Sequence, residues 1–129
     1  GMTERGRIMG RKVKKKWGYY EVLGKGPGWK VKRLVIQPGK ATSPHYHKYR
    51  TEQWTVVAGS ARLFAEGHSV GEIRSPFSLV EPIEPGEVHQ LGNETDAVLE
   101  VVEVQTGEIC EEWDRRRLRV EVVGAMPWK

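Results

Sequence analysis

The apolar positions of this chain fall in short runs broken by glycine and proline, with almost no helical spacing. Trp29 to Ile36 (WKVKRLVI) reads as a strand closed by Pro38-Gly39. Gln53 to Val57 reads as a second, turning at Ala58-Gly59-Ser60 into Ala61 to Ala65. Glu66-Gly67-His68 is a further turn signal, with His68 expected in solvent. Phe77 to Val80 and Glu87 to Leu91 are predicted strands separated by Pro82 and Pro85-Gly86. Ala97 to Gln105 (AVLEVVEVQ) is the longest β run, closed by Gly107, and a weak alternation spans Arg117 to Val123. About eight short strands spaced this way predict an all-β fold, a single small antiparallel β-barrel or jelly roll. Such a fold encloses a cavity lined by alternate residues of its strands.

A length of 129 residues and a hydrophobic fraction of 38% suit one domain with one core. Residues 1–16 are predicted as a basic flexible arm and residues 17–129 as the domain. The net charge of +4 collects at the ends. Arg5, Arg7, Arg11, Lys12 and Lys14 to Lys16 face Glu4 alone, and Arg115, Arg116, Arg117 and Arg119 form a second cluster. No nucleic-acid-binding motif accompanies this charge, so a solvated tail is expected in place of a nucleic-acid partner. No apolar run approaches the ~20 residues of a membrane span. The single cysteine, Cys110, excludes an internal disulfide and a Cys-rich zinc site. With no apolar signal core near the N-terminus, a cytoplasmic setting is expected. Uncovered strand edges predict a homodimer.

The candidate chemistry lies between Gly39 and Gly59. His45 and His47 are two apart, so on a β-strand both rings point to one face. Glu52 follows five residues later, and His89 lies on a separate predicted strand that can pair across the barrel. Three imidazoles and a carboxylate make a plausible ligand set for one divalent metal ion, such as Zn, Mn, Co, Ni or Fe.

These residues carry a resemblance. Gly39, five residues, His45, one residue, His47, four residues, Glu52, six residues, Gly59 is similar to the first motif of the cupin superfamily. Gly86, two residues, His89, three residues, Asn93 resembles the second. The proline usual two before that glycine is displaced, with Glu84 in its place and Pro85 next to the glycine. The resemblance implies metal ligands at His45, His47, Glu52 and His89. Local strings narrow it further: Trp17-Gly18-x-Tyr20-Glu21-Val22-Leu23, Arg50-x-Glu52-x-Trp54-x-Val56-Val57-x-Gly59 and Glu103-Val104-Gln105-x-Gly107. They resemble the C-terminal domain of type II phosphomannose isomerases over roughly residues 17–107. Bifunctional members place a guanylyltransferase domain ahead of this one. The Gly24, Gly26 and Gly28 loop is not its nucleotide loop, because the strand–loop–helix context is missing.

The resemblance implies interconversion of mannose 6-phosphate and fructose 6-phosphate, with a sugar or sugar phosphate as partner. This chemistry needs a Lewis acid and a base. Glu103 is the candidate base; its bland alternative is an ion pair with Arg33 or Lys32. Arg50 matches an arginine just ahead of the ligand glutamate in the isomerase motif and is expected at the substrate. Lys30 and Lys32 share one face of their strand and are candidate phosphate donors, with a solvated edge strand as the alternative. Trp17, Tyr20 and Trp54 wall a sugar site or pack the core. His45 stands where bifunctional members often carry glutamine. A three-His, one-Glu set also serves iron dioxygenases and non-catalytic cupins that bind sugars or nucleotide sugars in polysaccharide metabolism, so these readings stay open.

Overall fold

The computed structural model describes residues 10–65, 72–74, 76–79 and 82–117. His68, the Glu66-Gly67 turn and the alternation beyond Arg117 lie outside these residues. Two antiparallel sheets face each other across a shared core. The first has six strands in the order β1 (Val13–Lys15), β2 (Gly18–Gly26), β3 (Trp29–Ile36), β10 (Leu99–Gly107), β5 (Arg50–Ala58) and β8 (Ser78–Leu79). The second has five, β11 (Arg115–Arg117), β4 (His45–His47), β9 (His89–Gly92), β6 (Ala61–Ala65) and β7 (Glu72–Arg74). This is the jelly roll that the turn spacing predicts.

The runs Trp29–Ile36 and Ala61–Ala65 become strands with the expected bounds. Other boundaries differ: the strand expected over Gln53 to Val57 runs from Arg50 to Ala58, and the one expected from Ala97 to Gln105 runs from Leu99 to Gly107. Val13–Lys15 pairs with Gly18–Tyr20, so the region expected as a flexible arm to Lys16 contains a paired strand. Backbone hydrogen bonds hold that strand, and they leave no mark on side-chain pattern. The strand expected at Glu87 begins instead at His89.

Period-two alternation decides what looks inward. On β5, Arg50, Glu52, Trp54 and Val56 are buried, while the residues between them are half-buried. On β10 the inward set is Leu99, Val101, Glu103 and Gln105. Register stacks these sets into rows: Leu34 beside Val101 and Val56, Lys32 beside Glu103 and Trp54, Lys30 beside Gln105 and Glu52. One end of the inner face is therefore apolar and the other polar. Ile36, Leu99, Val101 and Val56, with Ile83 bridged to β5, meet Leu63 and Leu91 of the opposite sheet in one buried cluster.

Two motif residues serve the backbone. Gly59 sits at φ 81°, and a Cβ there would lie 2.6 Å from the Val98 carbonyl, so the β5–β6 turn requires glycine. Asn93 is fully buried; its amide donates to the Ile36 and Ala97 carbonyls, and its oxygen accepts from the Thr95 N–H and hydroxyl. That explains an asparagine four residues after His89 without any role at a ligand.

Candidate metal centre and substrate cavity

The two halves of the candidate site come from opposite sheets. β4 and β9 pair with His89 opposite His45, which brings three imidazoles together on one surface. Ring centroids lie 4.9 Å (His45–His47), 4.4 Å (His45–His89) and 5.2 Å (His47–His89) apart. One nitrogen from each falls within 4.8 Å of the others. Glu52 reaches in from β5: its Oε2 is 2.9 Å from His47 Nε2 and its Oε1 is 3.3 Å from His89 Nε2. The four residues that the motif spacing singles out therefore converge.

Two rings are oriented by the same device. His45 Nδ1 donates to the Ser43 carbonyl at 2.6 Å, and His89 Nδ1 to the Glu87 carbonyl at 3.0 Å. A donating Nδ1 leaves the lone pair on Nε2, which is the form a metal needs. Burial is the main reason that His45 stays well below its ordinary pKa, helped by the neighbouring His89 and His47. For His89 burial also disfavours the cation, yet the Glu52 carboxylate more than offsets it and raises the pKa. Burial alone would raise Glu52, but its contacts with His47 and His89 hold it well below the usual carboxylate range.

These residues fit a divalent ion. Nε2 of His89 is buried with the Glu52 carboxylate 3.3 Å away but makes no hydrogen bond of good geometry, the kind of atom that a cation satisfies. Imidazole nitrogen with one carboxylate oxygen suits Zn, Mn, Fe, Co or Ni.

Arg50 is deeply buried and already engaged. Its Nε donates to Glu52 Oε2 at 3.0 Å, its Nη1 to the Glu111 carbonyl at 3.0 Å, and its Nη2 lies 3.2 Å from His47 Nε2. The arginine expected at the substrate thus stands beside the ligands and orients Glu52. Lys30 and Lys32 are buried on β3, an interior strand, so the solvated-edge alternative does not hold. Lys32 lines the cavity of the imidazoles, and Lys30 lines a neighbouring groove with Cys110 and Glu111. Glu103 pairs with neither Arg33 nor Lys32: its Oε1 accepts from Trp54 Nε1 at 2.9 Å and its Oε2 from Gln105 Nε2 at 2.5 Å. Arg33 turns outward to Glu100 and Glu21. Trp17, Tyr20 and Trp54 wall one cavity together with His45, His47, Lys32 and Glu103. They pack the apolar core as well, with Tyr20 and Trp54 inside its buried cluster and Trp17 against it.

Sequence reasoning missed the segment that covers the cavity mouth. A one-turn 3-10 helix, Glu112–Asp114, sends Glu112 to Lys32, and Asp114 is fully buried. The Asp114 carboxylate accepts the Lys48 N–H at 3.1 Å and the Tyr49 N–H at 3.0 Å, which holds the turn between His47 and Arg50. Only the acidic residues at 111, 112 and 114 hinted at this, and such residues are usually solvated.

A jelly roll with this histidine–glutamate cluster inside is a cupin. Residues 4–120 match the family described as mannose-6-phosphate isomerase C-terminal, and the chain belongs to that family. The mannose-1-phosphate guanylyltransferase of Sinorhizobium fredii is 37% identical over 111 residues, covering 86% of this chain and 21% of that protein. The chain thus spans about a fifth of the length of the curated relatives it matches. Among solved structures, Bacillus subtilis oxalate decarboxylase with its Mn(II) centres matches at a TM-score of 0.72 and 20% identity, covering 90% of this chain and 34% of that one. The capsular polysaccharide assembling protein CapF of Staphylococcus aureus matches at 0.68 and 21%, covering 85% and 34%. At such identity these two likenesses speak for the fold alone. Among the described residues no helix is long and apolar enough to cross a membrane.

Proposed function

We propose that this chain is a metal-dependent sugar-phosphate isomerase, interconverting mannose 6-phosphate and fructose 6-phosphate or a related pair. The observation that carries the reading is one cavity holding three kinds of group: a buried imidazole–carboxylate cluster, a carboxylate base and buried cations. His45, His47, Glu52 and His89 would hold the metal, which supplies Lewis acidity toward a sugar oxygen when bound. Glu103 moves the proton between C1 and C2. Its two accepted hydrogen bonds fix the carboxylate in place, and each oxygen keeps further acceptor capacity at the cavity wall. Lys30 and Lys32 meet the phosphate, since ammonium groups on a rigid strand are suitable point-charge donors. Arg50 acts at the substrate end by holding Glu52. Trp17 and Tyr20 wall the sugar and limit water.

The test is a coupled assay of hexose-phosphate isomerisation on the protein before and after chelation. Turnover lost with chelator and restored by added metal supports the reading, and a flat result in both arms removes it. One observation favours a second reading, a metal-containing cupin that binds a sugar or nucleotide sugar in polysaccharide metabolism without turnover. Both Glu103 oxygens already accept a hydrogen bond from a buried neighbour, as a carboxylate with a purely structural role would. Sugar binding by calorimetry without turnover would favour it. We further propose a homodimer through the sheet edges, against which a monomer in light scattering would count.

A further inference from the structure

Lys30 and Lys32 carry more charge than the protein returns to them. Both are buried, at 5% and 6% exposure. Among the described residues Glu112 is the carboxylate at ion-pair distance from either, bonded to Lys32 Nζ and 4.0 Å from Lys30 Nζ. The other carboxylates in the cavity are committed elsewhere: Glu52 to Arg50, and Glu103 to Trp54 and Gln105. Two ammonium ions sharing one carboxylate leave a surplus positive charge inside the protein. Lys32 spreads part of its charge over the Tyr20 ring, 4.1 Å from the centroid.

The three groups differ in their freedom to leave. Both lysines stand on β3, which is paired along each side by β2 and β10. Glu112 stands on a single 3-10 turn at the cavity mouth, with its side chain 40% exposed. The carboxylate is the partner that can swing into water.

We propose that Glu112 is a specificity-determining residue, an internal counterion of the Lys30–Lys32 pair that exchanges for the phosphate group of the substrate. This rests on the reading above that the two lysines meet the substrate. A phosphate monoester carries about −1.5 to −2 charges at neutral pH and three acceptor oxygens. It matches two ammonium groups, where Glu112 offers one negative charge. A neutral sugar has nothing with which to displace a bonded carboxylate. The exchange therefore selects phosphorylated sugars, while Asp114, two residues on, keeps its hold on the turn at Lys48 and Tyr49.

The probe is inorganic phosphate, titrated by calorimetry into the full metal-loaded chain and its Glu112→Gln variant. Removing the counterion should tighten phosphate binding about three- to tenfold, the range expected for loss of one partly exposed ion pair. Mannose affinity should stay the same. Lys32→Gln and, separately, Lys30→Gln should weaken phosphate in both backgrounds, with near-ultraviolet circular dichroism checking each fold. Equal phosphate affinity in wild type and Glu112→Gln overturns the proposal. So does weaker binding in Glu112→Gln, or no phosphate binding in either protein. Because the readout is binding, exchange without isomerisation removes only the isomerase reading. Isomerisation with an unaltered Glu112→Gln affinity removes only the exchange.

Discussion

Ile36, Leu99 and Val56 close one end of the inner face with no exposed surface. Lys30, Gln105 and Glu52 stand on the same three strands, point the same way, and are nearly as buried. The first set is apolar and meets Leu63 and Leu91 across the core. The second is polar and survives burial because most of its polar atoms have partners, as with Glu52 against Arg50 and His47. The contrast shows how one β architecture divides labour along its strands. The apolar end contributes most of the stability, and the polar end places chemistry at a defined distance from it.

The sharpest way to break this division is at the imidazoles. His47→Ala should reduce metal content from near one per chain to almost none in elemental analysis, with the fold kept. Glu103→Gln should retain metal yet lower turnover by about 10²- to 10⁴-fold, the usual weight of a positioned base, in the isomerisation assay. At the other end, Leu99→Ala should cost about 2–5 kcal/mol in urea denaturation, since a fully buried leucine leaves a cavity. Metal per folded chain should stay unchanged in that variant.

The smallest effect lies at Glu112. Burial alone would raise this carboxyl, but the Lys32 ammonium, with Arg50 and Lys30 behind it, holds it below its ordinary value. At pH near the unfolded pKa the unfolded chain then binds more protons than the folded one, so stability rises with pH there. The contribution is present above the ordinary carboxylate range and is lost as pH falls through the lowered value. Glu112→Gln should flatten that acid limb in thermal melts, melting slightly lower than the parent at neutral and basic pH and converging with it in acid.

Much of this was legible in the residues. The i, i+2 histidines needed only a strand, and their Gly39–Gly59 bracket marks the turns that deliver Glu52. The alternation of Trp29–Ile36 told that Lys30 and Lys32 share a face, but not which face is inward. That choice depends on β3 lying between β2 and β10, a pairing made over long sequence distance. Arg50 reads as a substrate cation by position, and it does line the cavity, but its bonds to Glu52 and the Glu111 carbonyl were not legible. Glu112 and Asp114 were not legible as site residues. They act from an irregular turn with no periodicity, and their partners lie more than sixty positions away.

The most direct measurement is an anomalous difference map from crystals of the protein grown with Mn²⁺. The account predicts one strong peak bonded to nitrogens of His45, His47 and His89 and to an oxygen of Glu52, at roughly 2.0–2.3 Å. A map with no peak among these four residues, or with the ion bound elsewhere on the chain, would contradict it.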